Sequence, residues 1–175
     1  MRLWLLLAAV TLAAGAALAQ DRAPEIRRIG APDSPIMSSV EVPAGSRLIY
    51  VSGTVPDPVD ANAPQGSVQR YGDTAAQTRS VLRMIAAQLR RHHRLELADV
   101  VMMRVFLVAP PGQDRMDFAG MMTAYREFFG TPRQPNRPAR STMQVAGLVD
   151  PGWLVEIEVT AAAPQGVRLW PAEQR

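Results

Sequence analysis

The chain of 175 residues contains no cysteine and no lysine. The missing cysteines exclude disulfide bonds, thiolate nucleophiles and cysteine-ligated metal sites. Aromatic residues are also scarce, at 6%, and the arginines that supply the positive charge are scattered along the chain. A nucleic-acid-binding surface requires a basic face with aromatic residues among the charges, so we expect no nucleic-acid partner. What the chain does contain, 47% hydrophobic residues, is enough for one sizeable core.

The longest apolar run lies at the N-terminus. A positive start, Met1-Arg2, precedes the apolar residues 3–18, and Ala17-Leu18-Ala19 matches the cleavage pattern of a secretory signal peptide. The run falls short of the roughly 20 residues that a membrane-spanning helix needs. The sequence therefore predicts cleavage after Ala19 and a periplasmic or secreted protein without stable membrane insertion. An uncleaved membrane anchor is the alternative.

After the predicted signal peptide, the sequence predicts one domain flanked by an N-terminal lead-in and a C-terminal tail. We predict a signal peptide at 1–19, a lead-in at 20–35, a domain at 36–163 and an extended tail at 164–175. Hydrophobic patterning and turn residues predict the order β-β-β-α-β-α-β-β. The predicted strands are 25–29, 36–42, 48–52, 99–108, 140–145 and 153–160, and the predicted helices are 73–94 and 117–129.

The first long helix carries one apolar stripe, which consists of Thr78, Val81, Leu82, Ile85 and Leu89. Thr74 to Gln77 has the form of a capping box at its start. Two such helices and several strands predict an α/β (α+β) fold, in which a single mixed sheet carries both helices on one face.

Residues alternate between the faces of a strand, so the last two strands predict a sheet with one apolar face and one partly polar face. Arg140 and Glu158 can both face the polar side. An arginine fork binds a carboxylate in a bidentate manner, and a glutamate beside it could act on a water molecule. The alternative is a structural salt bridge between neighbouring strands.

Other candidate residues favour ordinary structural roles. His92 and His93 point about 100° apart on a helix, and neither has an acidic or cysteine partner at zinc spacing, so we expect no metal site. Nine methionines are present, and six of them fall at core-like positions, where this flexible side chain fills gaps. These six are Met84, Met102, Met103, Met121, Met122 and Met143.

The order and spacing of several motifs resemble those of the RidA/YjgF family. The C-terminal signature is carried by residues 138–145 (PARSTMQV), Leu148 and residues 155–159 (VEIEV). Upstream, residues 51–56 (VSGTVP) resemble the family strand that ends in Ser-Gly. Residues 73–89, 99–106 and 117–129 resemble its first helix, central strand and second helix. The resemblance covers roughly residues 36–162.

The resemblance implies a chorismate-mutase-like fold and a homotrimer with sites in clefts between subunits. It also implies hydrolysis of imines or enamines of amino acids to 2-oxo acids and ammonia, without metal or organic cofactor, as in 2-iminobutanoate/2-iminopropanoate deaminases. Arg140 occupies the position of the family's carboxylate-binding arginine, and Glu158 that of the glutamate proposed to activate water. Ser52 and the backbone N–H of Thr142 match further ligand contacts.

Two departures from the family pattern concern the pocket. Thr142 replaces a frequent cysteine, and Met122 stands where many deaminating members have asparagine. These changes make the pocket less polar and leave a second function open, a non-catalytic periplasmic protein that binds small carboxylates or a protein partner. Nuclease or translation-inhibitor activity, sometimes attributed to relatives, is disfavoured by the predicted export and by the missing basic aromatic face.

Overall fold

The computed structural model describes residues 25–163, so the predicted signal peptide and the predicted tail lie outside the described residues. Within this range the strands are β1 (Arg27–Ile29), β2 (Ser39–Glu41), β3 (Arg47–Thr54), β4 (Val100–Leu107), β5 (Ala139–Gln144) and β6 (Val155–Ala163). The α-helices are α1 (Val68–Tyr71), α2 (Thr74–Gln88) and α3 (Phe118–Phe128). A π-helical turn, Leu89–His93, and a 3-10 turn, Leu97–Asp99, follow α2. No helix among the described residues has both the length and the apolar character to cross a bilayer.

The main sheet has four strands in the order β3-β6-β4-β5. β4 and β5 are parallel, whereas β6 is antiparallel to both β3 and β4. The predicted fold class, a mixed sheet with helices packed on one face, is confirmed. The first two strands differ from the prediction because they pair with each other, and Met37 between them forms an isolated parallel bridge with Ala139 at the β5 edge of the main sheet.

The helices and the apolar sheet face form the core. The predicted apolar stripe is confirmed, since all five positions are buried, four on α2 and Leu89 at the start of the π-helical turn. α2 packs on α3, on β6 and on β3. From the sheet, Met103 and Val105 on β4 and Ile157 on β6 face the helices and are 0–1% exposed. This core covers one face of the sheet and leaves the other face open.

The start of α2 differs from the predicted capping box. Asp73 is the N-cap, and its carboxylate accepts a hydrogen bond of 2.7 Å from the backbone N–H of Ala76. Gln77 does not accept a hydrogen bond from the N-cap backbone N–H as a capping-box residue would. Its side chain is fully buried, where Nε2 donates to the carbonyl oxygens of Gly72 and Gly152 and Oε1 accepts from the N–H of Leu154.

Arg28 attaches the β1–β2 pair to the domain. Its guanidinium donates to the backbone carbonyl oxygens of Val100, Arg137 and Ala98 at 2.8–2.9 Å. Burial lowers the pKa of Arg28. The three carbonyl groups belong to the segments that lead into β4 and β5, so this one side chain ties the lead-in to the strands that follow.

We predict that Gln77→Leu lowers the free energy of unfolding by about 2–4 kcal/mol, because three backbone groups lose their partner inside the core. Chemical denaturation in urea measures this change. The control is Gln88→Leu, which replaces an exposed glutamine of the same helix and should change the value by less than about 0.5 kcal/mol. Equal effects of the two substitutions would contradict the role of Gln77.

Candidate active site

The register of the sheet divides the candidate residues between its two faces. Arg140 on β5 lies beside Met103 of β4, which is fully buried under the helices. The next residue of β4, Arg104, projects to the opposite face, where it lies beside Glu158 of β6. Arg140 therefore faces the helices and Glu158 faces away from them. The expectation that both residues share the polar face is wrong.

Arg140 lies half-buried beneath α3. Its Nη2 atom is 3.1 Å from the sulfur of Met122, and its Nη1 atom is 3.9 Å from the sulfur of Met121. The guanidinium carbon lies 4.4 Å from the centroid of the Tyr125 ring and 5.9 Å from that of the Phe118 ring. The sequence indicated the methionines as core residues, and these two are both core residues and neighbours of the arginine.

No carboxylate within residues 25–163 forms a salt bridge with Arg140. Burial lowers the pKa of Arg140, the charge interaction with Tyr125 raises it, and the nearby positive charge of Arg126 lowers it further. A buried charge without a counter-ion is costly. Packing over the face of an aromatic ring offsets about 0.5–2 kcal/mol of that cost, so the arginine is left with unused capacity for an anion.

Tyr125 forms the floor beneath Arg140. Burial raises the pKa of Tyr125 to about 12, although the neighbouring Arg140, Arg137 and Arg28 act in the opposite direction. Its hydroxyl donates to the carbonyl oxygen of Pro35 at 3.0 Å. The phenol is therefore neutral at physiological pH and presents a π-face, not a negative charge, to the arginine.

Thr142 lies on the same face of β5 as Arg140, two residues further along. Its Oγ1 atom is buried and has no hydrogen-bond partner among the described residues. β5 is an outer strand of the sheet. The N–H of Val145 bonds to Leu107 of β4, so by alternation the N–H of Thr142 points to the free edge. We call Arg140, Thr142, Tyr125, Met121 and Met122 the arginine cluster.

The opposite face of the sheet holds a shallow cavity of about 180 Å³. Ser52 and Glu158 line it together with Arg104, Met102 and the exposed Tyr50. Arg104 donates to Glu158 Oε2 at 3.3 Å. A salt bridge between neighbouring strands does form, as the alternative reading of Glu158 proposed, but its cationic partner is Arg104 and not Arg140.

Glu156 is a candidate that sequence reasoning missed. It shares the outward face with Glu158, and its carboxylate packs against the backbone of Gly53. A Cβ atom at position 53 would lie 1.8 Å from Glu156 Oε1. The signal was present in the sequence, because Glu156 and Glu158 lie two residues apart on one predicted strand and therefore on the same face. We call Ser52, Gly53, Glu156, Glu158 and Arg104 the glutamate cluster.

The predicted site residues thus form two groups. Arg140 and Thr142 belong to the arginine cluster, whereas Ser52 and Glu158 belong to the glutamate cluster. β4 lies between the strands that carry Arg140 and Glu158. Across residues 25–163, no group of three or more histidine or acidic side chains is arranged to hold a metal ion.

Comparison with known families gives one match over most of the chain. The model of the family described as Endoribonuclease L-PSP matches residues 31–163. A protein named 3-aminoacrylate deaminase RutC, from Acinetobacter baylyi, is 36% identical over 127 residues, which cover 73% of this chain and 88% of that protein. A RutC family protein from Haemophilus influenzae is 35% identical over 101 residues, which cover 58% of this chain and 68% of that protein.

Solved structures resemble the described fold. The Rid family protein YyfB from Yersinia pestis has a TM-score of 0.59 and 26% identity, over 79% of this chain and 98% of that one. A protein from Vibrio vulnificus, titled as a putative translation initiation inhibitor, has a TM-score of 0.52 and 27% identity, over 81% of this chain and 99% of that one. These likenesses agree with the mixed sheet and its helical layer.

We predict that folding stability falls as the pH rises from about 10 to about 12. The pKa of Tyr125 is raised to about 12 in the folded chain from about 10 in an unfolded one. The folded state therefore favours the protonated phenol, and this contribution is lost as the phenol ionises. Tyrosinate absorbance during an alkaline titration measures the ionisation of this phenol. Tyr125→Phe should remove a phase near pH 12, and Tyr50→Phe should retain it. A late phase that survives in Tyr125→Phe would contradict the assignment.

Proposed function

The chain belongs to the RidA/YjgF family, and from this membership we propose that it is a cofactor-independent deaminase. Its proposed substrates are reactive imines or enamines of amino acids, which it hydrolyses to 2-oxo acids and ammonia. The relative named for 3-aminoacrylate deamination supports the reaction class. Arg140, half-buried and without a carboxylate partner among the described residues, is the observation that carries the proposal.

The proposed role of Arg140 is to bind the substrate carboxylate. A guanidinium fork forms two parallel hydrogen bonds with a carboxylate. The Thr142 hydroxyl, which has no partner among residues 25–163, and the Thr142 N–H at the sheet edge would add donors beside it. Fixing the carboxylate orients the adjacent C=N carbon, and positioning of this kind lowers a reaction barrier by up to several kcal/mol.

The reaction itself needs one water molecule. Water attacks the carbon of the C=N bond, a proton moves to the nitrogen, and collapse of the carbinolamine releases ammonia and leaves a C=O group. A carboxylate near the water would accept its proton during the attack and return it to the leaving nitrogen. Glu158, the predicted base, is engaged by Arg104, and Glu156 on the same face is the second candidate.

We further propose that two copies of the chain form each site, within a homotrimer. In one copy the arginine cluster and the glutamate cluster lie on opposite faces of the sheet, so they cannot contact one substrate. The glutamate-bearing face also exposes Leu48, Tyr50 and Met143, by 42%, 76% and 38%. Exposed apolar side chains of this kind are common at subunit interfaces. Association would bury them and bring one copy's glutamates to the other copy's arginine.

The predicted signal peptide adds a proposal about location. We propose that the mature protein begins at Gln20 and acts outside the cytoplasm, on substrates available there. A non-catalytic role in binding small carboxylates is the second candidate function, and the separation of Glu158 from Arg140 within one chain favours it.

We predict that Arg140→Ala reduces the clearance of imino acids at least about 100-fold, because the carboxylate loses its charge-assisted anchor. An amino-acid oxidase generates the imine, and semicarbazide trapping measures how much survives. Arg79→Ala is the matched control, since Arg79 forms a surface ion pair with Glu127. It should clear imines like the wild type.

Equal clearance by wild type and Arg140→Ala would contradict the proposed role of Arg140. If the wild type binds 2-oxo acids in calorimetry but clears no imine above the spontaneous rate, the carboxylate-binding function replaces the deaminase.

We predict that two inactive variants, Arg140→Ala and whichever of Glu156→Gln and Glu158→Gln is inactive on its own, regain activity when they are unfolded together and refolded as mixed trimers. If each site takes its arginine and its glutamate from different copies, about a quarter of the sites in a random mixture are intact. Glu158→Gln replaces Glu156→Gln in a parallel mixture, which identifies the glutamate that acts. Activity that stays at the level of the separate variants in both mixtures would contradict a site shared between copies.

A further inference from the structure

We infer that the wall beside Arg140, formed by Phe118, Met121 and Met122, selects 2-imino acids with an apolar side chain of several carbons over small or polar ones. The inference rests on the proposed deaminase function and names the substrate class of that site. It makes Phe118 and Met122 specificity-determining residues.

The first argument is the position of Phe118. It is the first residue of α3 and is 44% exposed. Its ring centroid lies 5.9 Å from the guanidinium carbon of Arg140. A phenylalanine that filled the core would not remain this accessible, so its ring forms part of the open surface around the arginine.

The second argument is geometric. In a paired complex the carboxylate carbon lies about 4 Å from the guanidinium carbon, and the imine carbon is one bond further away. A 2-imino acid bound on the Phe118 side of the guanidinium would therefore place its side chain within van der Waals reach of that ring, which lies 5.9 Å from the guanidinium carbon. Contact with Phe118 would bury apolar surface of both partners.

The third argument is chemical. Phe118 supplies the accessible part of the wall, and Met121 and Met122, which are 0% and 5% exposed, lie behind it; a ring and two thioethers offer no strong hydrogen-bonding group. In the arginine cluster the carboxylate would use the guanidinium and the Thr142 hydroxyl, and the Tyr125 hydroxyl already donates to Pro35. A hydroxyl or amide on the substrate side chain would lose its water without gaining a partner, whereas methyl and methylene groups would gain contact with an adaptable surface.

The test compares imines derived from leucine, alanine and serine as substrates of the full mature chain. The imine carbon is trigonal, so a D- or an L-amino-acid oxidase yields the same imine from each amino acid. Clearance is measured by semicarbazide trapping, with the spontaneous rate subtracted. We expect kcat/KM for the leucine-derived imine to exceed that for the alanine-derived imine at least about tenfold, since each added methylene in an apolar pocket can contribute a factor of this size.

Four variants locate the selectivity. Phe118→Ala and Met122→Asn should each lower the leucine-to-alanine ratio by about threefold or more, whereas Met122→Leu retains an apolar surface of similar volume and should keep it. Val59→Ala, at an exposed apolar position outside the arginine cluster, should also keep the ratio. A wild-type ratio near one, or a ratio that is unchanged in both Phe118→Ala and Met122→Asn, would overturn the inference.

A binding measurement separates this inference from the deaminase proposal. If the wild type clears none of the imines, the deaminase proposal fails, and calorimetry with 4-methyl-2-oxopentanoate and pyruvate then decides the inference. Tighter binding of the larger acid, reduced in Phe118→Ala, supports it. Equal binding of the two acids, or no binding of either, overturns it.

Discussion

The burial of one positive charge beneath α3 shapes the candidate site. Arg140 contacts two thioethers and an aromatic face and forms no ion pair within residues 25–163. A protein that needed this side chain only for stability would be served better by a neutral residue, because an unpaired buried charge is destabilising. Neighbouring residues hold a neutral aromatic ring against the unpaired charge. Tyr125 is held neutral by its burial, and its hydroxyl is anchored to Pro35.

The alternation of side chains along the strands separates this charge from the glutamates. The hydrogen-bonded backbone of the sheet separates its two faces, so one bound substrate cannot contact side chains on both. Because β4 lies between β5 and β6, no rotation of the side chains brings Arg140 to Glu156 or Glu158 within one copy. The proposed chemistry therefore depends on quaternary structure, and a chain that remained monomeric would hold both sets of residues and complete no site.

Local sequence patterns predicted most of the helices and strands. They could not predict which strands pair, in which register, or which distant residues contact each other. The apolar stripe of α2 and the alternation in β5 and β6 are each repeated over several residues. A single residue that departs from such a pattern therefore does not change the predicted helix or strand. The register between strands has no such redundancy. Arg104 could be recognised as the partner of Glu158 only once β4 was placed beside β6. The capping box failed for a related reason, because Gln77 satisfies backbone groups at Gly152 and Leu154, about 75 residues away along the chain.

The contact between Gly53 and Glu156 has a consequence for how such a site can vary. The carboxylate occupies the volume in which any other residue would place its first side-chain carbon. The position of the Glu156 carboxylate therefore depends on the glycine at position 53 as much as on β6, which carries the glutamate. Exchanging the glycine for alanine would remove no functional group, yet it would force the carboxylate to a new place. The geometry of the site thus depends on the absence of a side chain at position 53 as well as on its polar residues.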